Sequence, residues 1–252
     1  MATMMSERNE APLGVLPEGE AHVWTIASSD ALAADARVLA CLSAAEQDRL
    51  ERHSCAAAAQ RFALARLVLR HVLARYTGAA PERVELVVNP GGKPTLANNQ
   101  GIHFSLTHAD RLVLVAVARC DVGIDVERVR EPRRLLRTAC RVLHPDTVAT
   151  LQRLPPQLRR LAFLDAWTQR ESHVKAVGGG IFATADALPF SAGQPADGVP
   201  YPCRDRRGTE EWSVARFHPA VDARATLAAR GRLTELRFFA WSVDTARARE
   251  GR

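Results

Sequence analysis

The sequence predicts a mixed α/β protein of the α+β type, built from two halves that join near residues 119–122. The first observation is the order of the predicted elements, which runs strand, helix, strands and then helix, helix, strands. The second is the composition, since 47% hydrophobic and 25% charged residues are typical of a globular chain with a large core. We therefore divide the chain into an N-terminal half, residues 1–120, and a C-terminal half, residues 121–252.

The N-terminal half begins with a strand and continues with helices. The alternating segment HVWTIA, residues 22–27, predicts the strand, and leucines at helical spacing predict a helix over residues 39–50. Residues 56–76 form one long amphipathic pattern, ended by a glycine and a proline. The rest of this half predicts a strand that enters the turn NPGG at residues 89–92, and then two antiparallel strands joined around residues 109–111.

The C-terminal half begins with another strand, CDVGIDVERV at residues 120–129. Helical patterns follow over residues 131–152 and 156–177. From the step between Leu188 and Pro189, proline and glycine become frequent and periodicity is lost, which predicts a long surface loop. Two strands are expected after this loop, at EWSVARF and LRFFAWSV, and ATLAAR is a candidate for a third.

Neither a membrane protein nor a disulfide-stapled protein is expected. The N-terminal residues lack the apolar stretch of a signal peptide, and the longest strongly apolar run, LVLVAVA at residues 112–118, is far too short to span a bilayer. The five cysteines contain no C-x-x-C pair and no zinc-like cluster, which is typical of free thiols. We expect a cytoplasmic protein without a membrane partner.

Positive charge is concentrated in the C-terminal half, where the whole net charge of +6 lies. A basic surface suits an anionic partner, and an arginine-rich composition also serves solubility alone, so both interpretations stay open. The sequence shows no DNA-reading motif and no alternation of aromatic with basic residues, so nucleic acid is not the expected partner.

The two lysines of the chain are exceptions in an arginine-biased composition. Of the 34 basic side chains, only Lys93 and Lys175 are lysine. A compact ammonium meets a phosphate as a point charge in a tight site, where a planar guanidinium is a different ligand. Chance placement is the alternative, but both lysines lie in segments that are unusual for other reasons.

Two carboxylates are expected to lie side by side on the strand DVGIDVERV. A period of two places the apolar residues Val122, Ile124 and Val126 on one face and Asp125 with Glu127 on the other. Like charges on one strand face repel unless a cation lies between them, and hard carboxylate oxygens suit Mg²⁺. A solvated edge strand is the alternative interpretation.

Glu171 and Lys175 lie four residues apart on one face of the helix predicted over residues 156–177. This is also the spacing of a routine helical ion pair, worth about 0.3 to 0.5 kcal/mol. The functional interpretation makes Glu171 a third carboxylate of the Mg²⁺ group. His108, next to Thr107 at a strand end, also has two interpretations: it binds phosphate, or it is an ordinary packed or surface residue.

Four motifs occur in order along the chain, at Gly92–Pro94, Phe104–Ala109, Gly123–Glu127 and Trp167–Lys175. They resemble the G-K-P, F-[NS]-[IL]-[ST]-H-[SA], G-[IV]-D-[IV]-E and W-[ST]-x-K-E-[SA]-x-x-K motifs of the Sfp-type 4'-phosphopantetheinyl transferase family. The resemblance covers most of residues 22–185, and four motifs in the correct order make a chance match improbable.

The resemblance implies a fold of two similar α/β halves related by a pseudo-twofold axis, with coenzyme A in the cleft between them. The implied reaction moves phosphopantetheine from coenzyme A to a serine of an apo acyl or peptidyl carrier domain and releases 3',5'-ADP. Mg²⁺ is then the expected cofactor, coenzyme A the substrate and the carrier domain the partner. A monomer is expected.

The resemblance also implies roles for individual residues. The expected Mg²⁺ ligands are Asp125, Glu127 and Glu171. Glu171 would in addition be the general base for the carrier serine, with Lys175 and His108 completing the catalytic group. The expected coenzyme A contacts are Arg49, Arg61, Lys93, Thr107, His108 and Lys175.

Two positions depart from the family pattern, and two other functions stay open. Arg170 stands where many members have lysine, and Glu46 stands where some members have a basic nucleotide contact. One alternative function is a Mg²⁺-dependent phosphodiester or pyrophosphate hydrolase that uses the same carboxylates without any carrier. The other is a basic scaffold that docks acidic proteins or nucleic acid without turnover. For a carrier partner, the expected docking residues are Arg133, Arg134 and Arg137.

Overall fold

Two four-stranded sheets, each covered by one long helix, organise the fold. The computed structural model describes residues 15–27, 40–98, 101–130, 135–178 and 188–241. The sheets pack face to face and the long helices cover their outer faces, so the layers run helix, sheet, sheet, helix. No helix in these described stretches is both long and apolar enough to span a membrane.

The elements of the N-terminal half agree with the predicted order of strand, helices and strands. They are β1 (Glu20–Ala27), α1 (Ala44–Glu51), α2 (Ala56–Thr77), a 3₁₀ turn (Pro81–Arg83), β2 (Leu86–Val88), β3 (Pro94–Leu96), β4 (His103–Ala109) and β5 (Leu112–Ala118). The long helix α2 ends at Gly78, whose φ of 71° is the left-handed conformation that glycine adopts without strain. Strand β3, which pairs with β2 across the NPGG turn, was not predicted.

The described residues of the C-terminal half form three helices and five strands. They are β6 (Val122–Arg128), α3 (Leu135–Val142), α4 (Pro145–Arg153), α5 (Pro156–Val177), β7 (Tyr201–Arg204), β8 (Glu211–Phe217), β9 (Ala223–Arg230) and β10 (Glu235–Ala240). The helical pattern over residues 131–152 is divided, because Pro145 starts a new helix that the His144 side chain caps. Residues 131–134, with the proposed docking residues Arg133 and Arg134, lie outside the described residues.

The prediction of an uninterrupted loop after Leu188 is wrong at one place. Strand β7 lies within that segment and pairs antiparallel with β8 at the edge of the second sheet. Its four residues, YPCR, alternate between half-buried and exposed and include Pro202. Proline is tolerated on an edge strand. A short edge strand that contains proline therefore resembles a turn in composition, which is why the sequence pattern predicted a loop here.

Corresponding strands pair in the same way in the two halves. Strand β1 pairs antiparallel with β5, which also pairs with β4, and strand β6 likewise pairs antiparallel with β9, which also pairs with β8. Strand β10 departs from this pattern, because it pairs in parallel with β1 and so extends the N-terminal sheet. The mixed α+β class is confirmed, while the pseudo-twofold axis and the division at residue 120 stay predictions.

The two faces of β6 have the different environments that the sequence predicts. Val122, Ile124 and Val126 are buried in the apolar core between the two sheets. The opposite face lies against α5, because a Cβ atom on Gly123 would be only 1.9 Å from the Ser172 carbonyl oxygen. Only glycine permits this close approach of strand and helix backbones. Asp125 and Glu127 follow on the same face, and are therefore held against the helix that carries the fourth motif.

Candidate active site

Residues from three of the four motifs meet where β4, β6 and α5 come together. The Lys175 ammonium lies 2.6 Å from Asp125 Oδ1 and 3.2 Å from the Ile124 carbonyl oxygen. The Thr107 hydroxyl donates to the same Asp125 oxygen at 3.2 Å. Strands β4 and β6 are held together here by the Ser105 hydroxyl, which accepts a hydrogen bond from the Ile124 amide at 3.1 Å. Lys175 thus pairs with a strand carboxylate across the fold.

A second group of contacts links the other two predicted carboxylates. The Trp167 indole N–H donates to Glu127 Oε1 at 3.2 Å. The Arg170 guanidinium lies over the Trp167 ring, 5.4 Å from its centroid, and forms an ion pair with Glu171. Glu127 and Glu171 are therefore connected through Trp167 and Arg170. Cation–π contacts of this kind contribute about 0.5 to 1 kcal/mol at exposed sites, so the link orients the side chains more than it stabilises the fold.

The carboxylates have properties that suit a divalent cation. Asp125 is only 6% exposed, and its second oxygen, Oδ2, is buried without a hydrogen-bond partner. Desolvation, followed by the negative charge of Asp125, raises the pKa of Glu127. Among the described residues, no three His, Cys, Asp or Glu side chains converge as a ready-made metal site. The oxygen donors fit Mg²⁺ in kind, and Glu171 would have to leave Arg170 to join them.

His108 and Arg61, for which the family resemblance implies phosphate contacts, lie beside this group. Both side chains are exposed, His108 at the end of β4 and Arg61 in the first turns of α2. Desolvation by the surrounding protein, followed by the charges of Lys175 and Arg61, lowers the pKa of His108. The imidazole is therefore mainly neutral at pH 7, which leaves it able to donate one hydrogen bond.

The two remaining predicted contacts lie away from the Asp125 carboxylate. Arg49 is exposed on α1, and its guanidinium lies 5.3 Å from the centroid of the Phe62 ring, next to Arg61 in sequence. The Lys93 ammonium donates to the carbonyl oxygens of Val122, at 3.1 Å, and of Ala176, at 2.9 Å. Lys93 is thus engaged by backbone atoms at the edge of the site.

Glu46, the position that departs from the family pattern, is part of the fold. Its carboxylate caps α1 by accepting from the Ser43 amide at 3.0 Å. It also pairs with Arg70, 2.8 Å away, and with Arg66, 3.7 Å away. Arg70 is only 2% exposed and donates in addition to the carbonyl oxygens of Pro81 and Val84. The charge at Glu46 therefore balances a buried arginine between α1 and α2.

We expect Glu46→Ala to lower the free energy of unfolding by about 3 kcal/mol, because removal of one partner leaves the Arg70 charge buried without an anion. Urea unfolding followed by circular dichroism measures this difference. Glu51→Ala, at the exposed end of the same helix, is the matched control and should change stability by less than about 0.5 kcal/mol. An equally small change in Glu46→Ala would show that the pair adds nothing to stability.

Trp167 and Ser105 have no individual role among the residues predicted from the sequence. A signal for Trp167 was present, because residues 167, 171 and 175 follow one another at intervals of four and so share a helix face. Ser105 carried no such signal, since its contact with β6 joins two sheets whose relative placement the local pattern does not reveal. Ser105 connects the second motif to the third, and Trp167 connects the third motif to the fourth.

Comparisons with protein families match most of the chain. The family model described as "4'-phosphopantetheinyl transferase superfamily" matches residues 121–230. A second model, described as "4'-phosphopantetheinyl transferase, N-terminal", matches residues 27–120. The two matches are adjacent and together include all four motifs and the contacts around Asp125.

Curated proteins with similar sequences carry the same description. The 4'-phosphopantetheinyl transferase HetI of Nostoc sp. is 32% identical over 64% of this chain and 70% of its own length. The putative 4'-phosphopantetheinyl transferase slr0495 of Synechocystis sp. is 31% identical over 56% of this chain. The 4'-phosphopantetheinyl transferase gsp of Aneurinibacillus migulanus is 28% identical over 66% of this chain. The matched region spans only 59% of slr0495 and 63% of gsp.

Proposed function

We infer that this chain, which belongs to the 4'-phosphopantetheinyl transferase superfamily, moves the phosphopantetheine group of coenzyme A to a serine of an apo acyl or peptidyl carrier domain. The observation that carries this proposal is the meeting of Thr107, Asp125 and Lys175, which come from three different family motifs. An ammonium and a carboxylate held together in this way suit a reaction on anionic phosphorus. A docking scaffold without turnover would not require them.

We propose Asp125, Glu127 and Glu171 as the residues that hold Mg²⁺. The support is the unpartnered, buried Oδ2 atom of Asp125, together with the raised pKa of Glu127, which two like charges and burial both favour. When bound, Mg²⁺ would act as a Lewis acid on the pyrophosphate oxygens of coenzyme A and offset the repulsion among the carboxylates. Trp167 holds the Glu127 carboxylate by its indole N–H, which fixes one oxygen and leaves the other for a ligand.

The positive and polar groups around Asp125 are proposed to bind coenzyme A. Lys175 uses two of its three N–H donors on Asp125 and Ile124, and its side chain is 32% exposed. The third donor would bind a pyrophosphate oxygen and offset its charge in the transition state. Thr107, His108 and the exposed Arg61 extend this group of donors, and the family resemblance adds Arg49.

The proposed chemistry breaks the phosphoanhydride bond of coenzyme A and forms a phosphoester bond, without a covalent enzyme intermediate. The carrier serine Oγ forms a bond to the phosphorus that bears pantetheine, and the bond from that phosphorus to the bridging oxygen breaks. The serine proton goes to the Glu171 carboxylate, and the electron pair of the broken bond leaves with 3',5'-ADP. Glu171 is half-buried and paired with Arg170, so Arg170 must release it before it accepts the proton.

The intact mass of an apo carrier domain, incubated with this protein, coenzyme A and Mg²⁺, tests the proposal. We expect a gain equal to one phosphopantetheine group, which chelation of the metal by EDTA abolishes. Carriers from fatty acid, polyketide and nonribosomal peptide synthesis should be tried in parallel. Consumption of coenzyme A with every carrier unchanged would favour the hydrolase. If coenzyme A also stays intact, the proposed transfer is wrong and the scaffold alternative remains.

A further inference from the structure

The turn between β2 and β3 is closed by its own first and last residues. The Asn89 side chain accepts a hydrogen bond from the Lys93 amide at 2.8 Å, and the Asn89 amide donates to the Lys93 carbonyl oxygen at 3.0 Å. Between them, Gly92 has a φ of 86°, which glycine adopts without strain. These contacts give the Lys93 side chain a defined starting direction, since its backbone is bonded on both sides.

This turn packs against the C-terminal end of α5. The Lys93 ammonium donates to the Ala176 carbonyl oxygen at 2.9 Å, and the Asn89 amide group donates to the Gly178 carbonyl oxygen at 3.4 Å. A Cβ atom on Gly178 would lie 2.9 Å from Asn89 Nδ2 and 3.1 Å from Lys93 Cδ, so the surfaces are in close contact. The last carbonyl groups of a helix have no partner within the helix, and a cation is favoured there.

The same ammonium reaches the beginning of β6. Lys93 Nζ lies 3.1 Å from the Val122 carbonyl oxygen, so one group joins the start of β6 to the end of α5. Asp125 lies three residues after the first contact, and Lys175 directly precedes the second. Two carbonyl dipoles hold the ammonium, and desolvation lowers the pKa of Lys93.

We propose that Lys93 is a positioning residue, which clamps β6 and α5 in the relative placement that brings Asp125 and Lys175 together. The clamp consists of Asn89 and Lys93 in the turn and of the carbonyl groups of Val122, Ala176 and Gly178. The G-K-P lysine then acts through the backbone of two other motifs, and coenzyme A phosphate is not its ligand. Only the kinetic consequences of this inference rest on the proposed transfer reaction.

The clamp also accounts for lysine at this position in an arginine-biased chain. A single ammonium is small enough to lie between two carbonyl oxygens with its stem against Gly178. A guanidinium is wider and planar, and it cannot point all its donors at one place.

Kinetics of Lys93→Arg and Lys93→Met distinguish a clamp from a phosphate contact. Since a misplacement of about 1 Å can lower a rate about 100-fold, we expect both variants to lose at least about tenfold in kcat. The dissociation constant for coenzyme A, measured by calorimetry without carrier, should stay within about twofold of the wild-type value. Arg83→Met removes an exposed cation near the same hairpin and should leave both quantities unchanged. Weaker coenzyme A binding in Lys93→Met, restored in Lys93→Arg, would overturn the proposal.

Hydrogen exchange measured by mass spectrometry tests the clamp without any activity. We expect faster exchange in peptides that cover residues 122–126 and 172–178 of Lys93→Met, and the same regions should respond in the milder variant Asn89→Ala. The double variant should exchange like Lys93→Met alone, because both substitutions open one clamp. Unchanged exchange in both single variants would refute the clamp. If wild-type protein transfers nothing to any carrier, the proposed function fails while this exchange result still decides the inference.

Discussion

Glu171→Gln is expected to lower the rate of phosphopantetheine transfer by about 10²- to 10⁴-fold, which is the usual range for loss of a general base. Glutamine keeps the size of the side chain but neither accepts the serine proton nor offers a charged oxygen to Mg²⁺. The partner of Glu171 in the structure is the half-buried side chain of Arg170, so the exchange should leave the fold intact. The rate follows from the intact mass of the carrier with time, at saturating coenzyme A and Mg²⁺.

The control for Glu171→Gln is Glu82→Gln, which makes the same exchange on the exposed 3₁₀ turn. Circular dichroism and thermal unfolding of both variants should match those of the wild-type protein. A Glu171→Gln variant that keeps more than about one tenth of the wild-type rate would assign the base to another group. A loss of rate with an altered spectrum would instead give Glu171 a structural role.

Strand β6 shows how far the sequence could predict the candidate site. The alternation of its letters predicts that Asp125 and Glu127 share a face, and the structure confirms this because Ile124 and Val126 are buried in the core on the opposite face. Local periodicity specifies a strand face whenever one side is buried. In the same way, the predicted long helix over residues 156–177 is confirmed as α5 with the same limits.

The partners of Lys175 and Lys93 could not be predicted in this way. The spacing of four residues suggested that Lys175 faces Glu171, yet its ammonium bonds to Asp125, 50 positions away along the chain. Lys93 meets Val122 and Ala176, which lie in two different elements. Such contacts depend on the packing of helix on sheet, and a pattern read along one element does not contain that packing. The family motifs indicated which residues matter, but not the atoms that each contacts.

Asp125→Asn is expected to weaken the binding of Mg²⁺ strongly. Mutation of a residue that only hydrogen-bonds to a metal ligand typically lowers metal affinity about 10- to 100-fold. Because Asp125 would be a ligand itself, loss of its charge should raise the Mg²⁺ concentration for half-maximal transfer by more than about 100-fold. The unpartnered Oδ2 atom makes Asp125 the strongest candidate for direct metal contact among the three predicted Mg²⁺ ligands. A Mg²⁺ titration of transfer, with Mg²⁺-dependent thermal shift as the second readout, measures this change.

Asparagine is chosen at position 125 because it separates metal binding from the local hydrogen bonds. Its carbonyl oxygen still accepts from Thr107 and Lys175, which bond to Asp125 Oδ1 at 3.2 Å and 2.6 Å. The fold and the placement of Lys175 should therefore persist while the negative charge is lost. Asp48→Asn, on the exposed surface of α1, should keep the wild-type Mg²⁺ titration. If Asp125→Asn keeps it as well, the cation is held elsewhere, and the role of Asp125 is to fix the Lys175 ammonium beside the substrate phosphate.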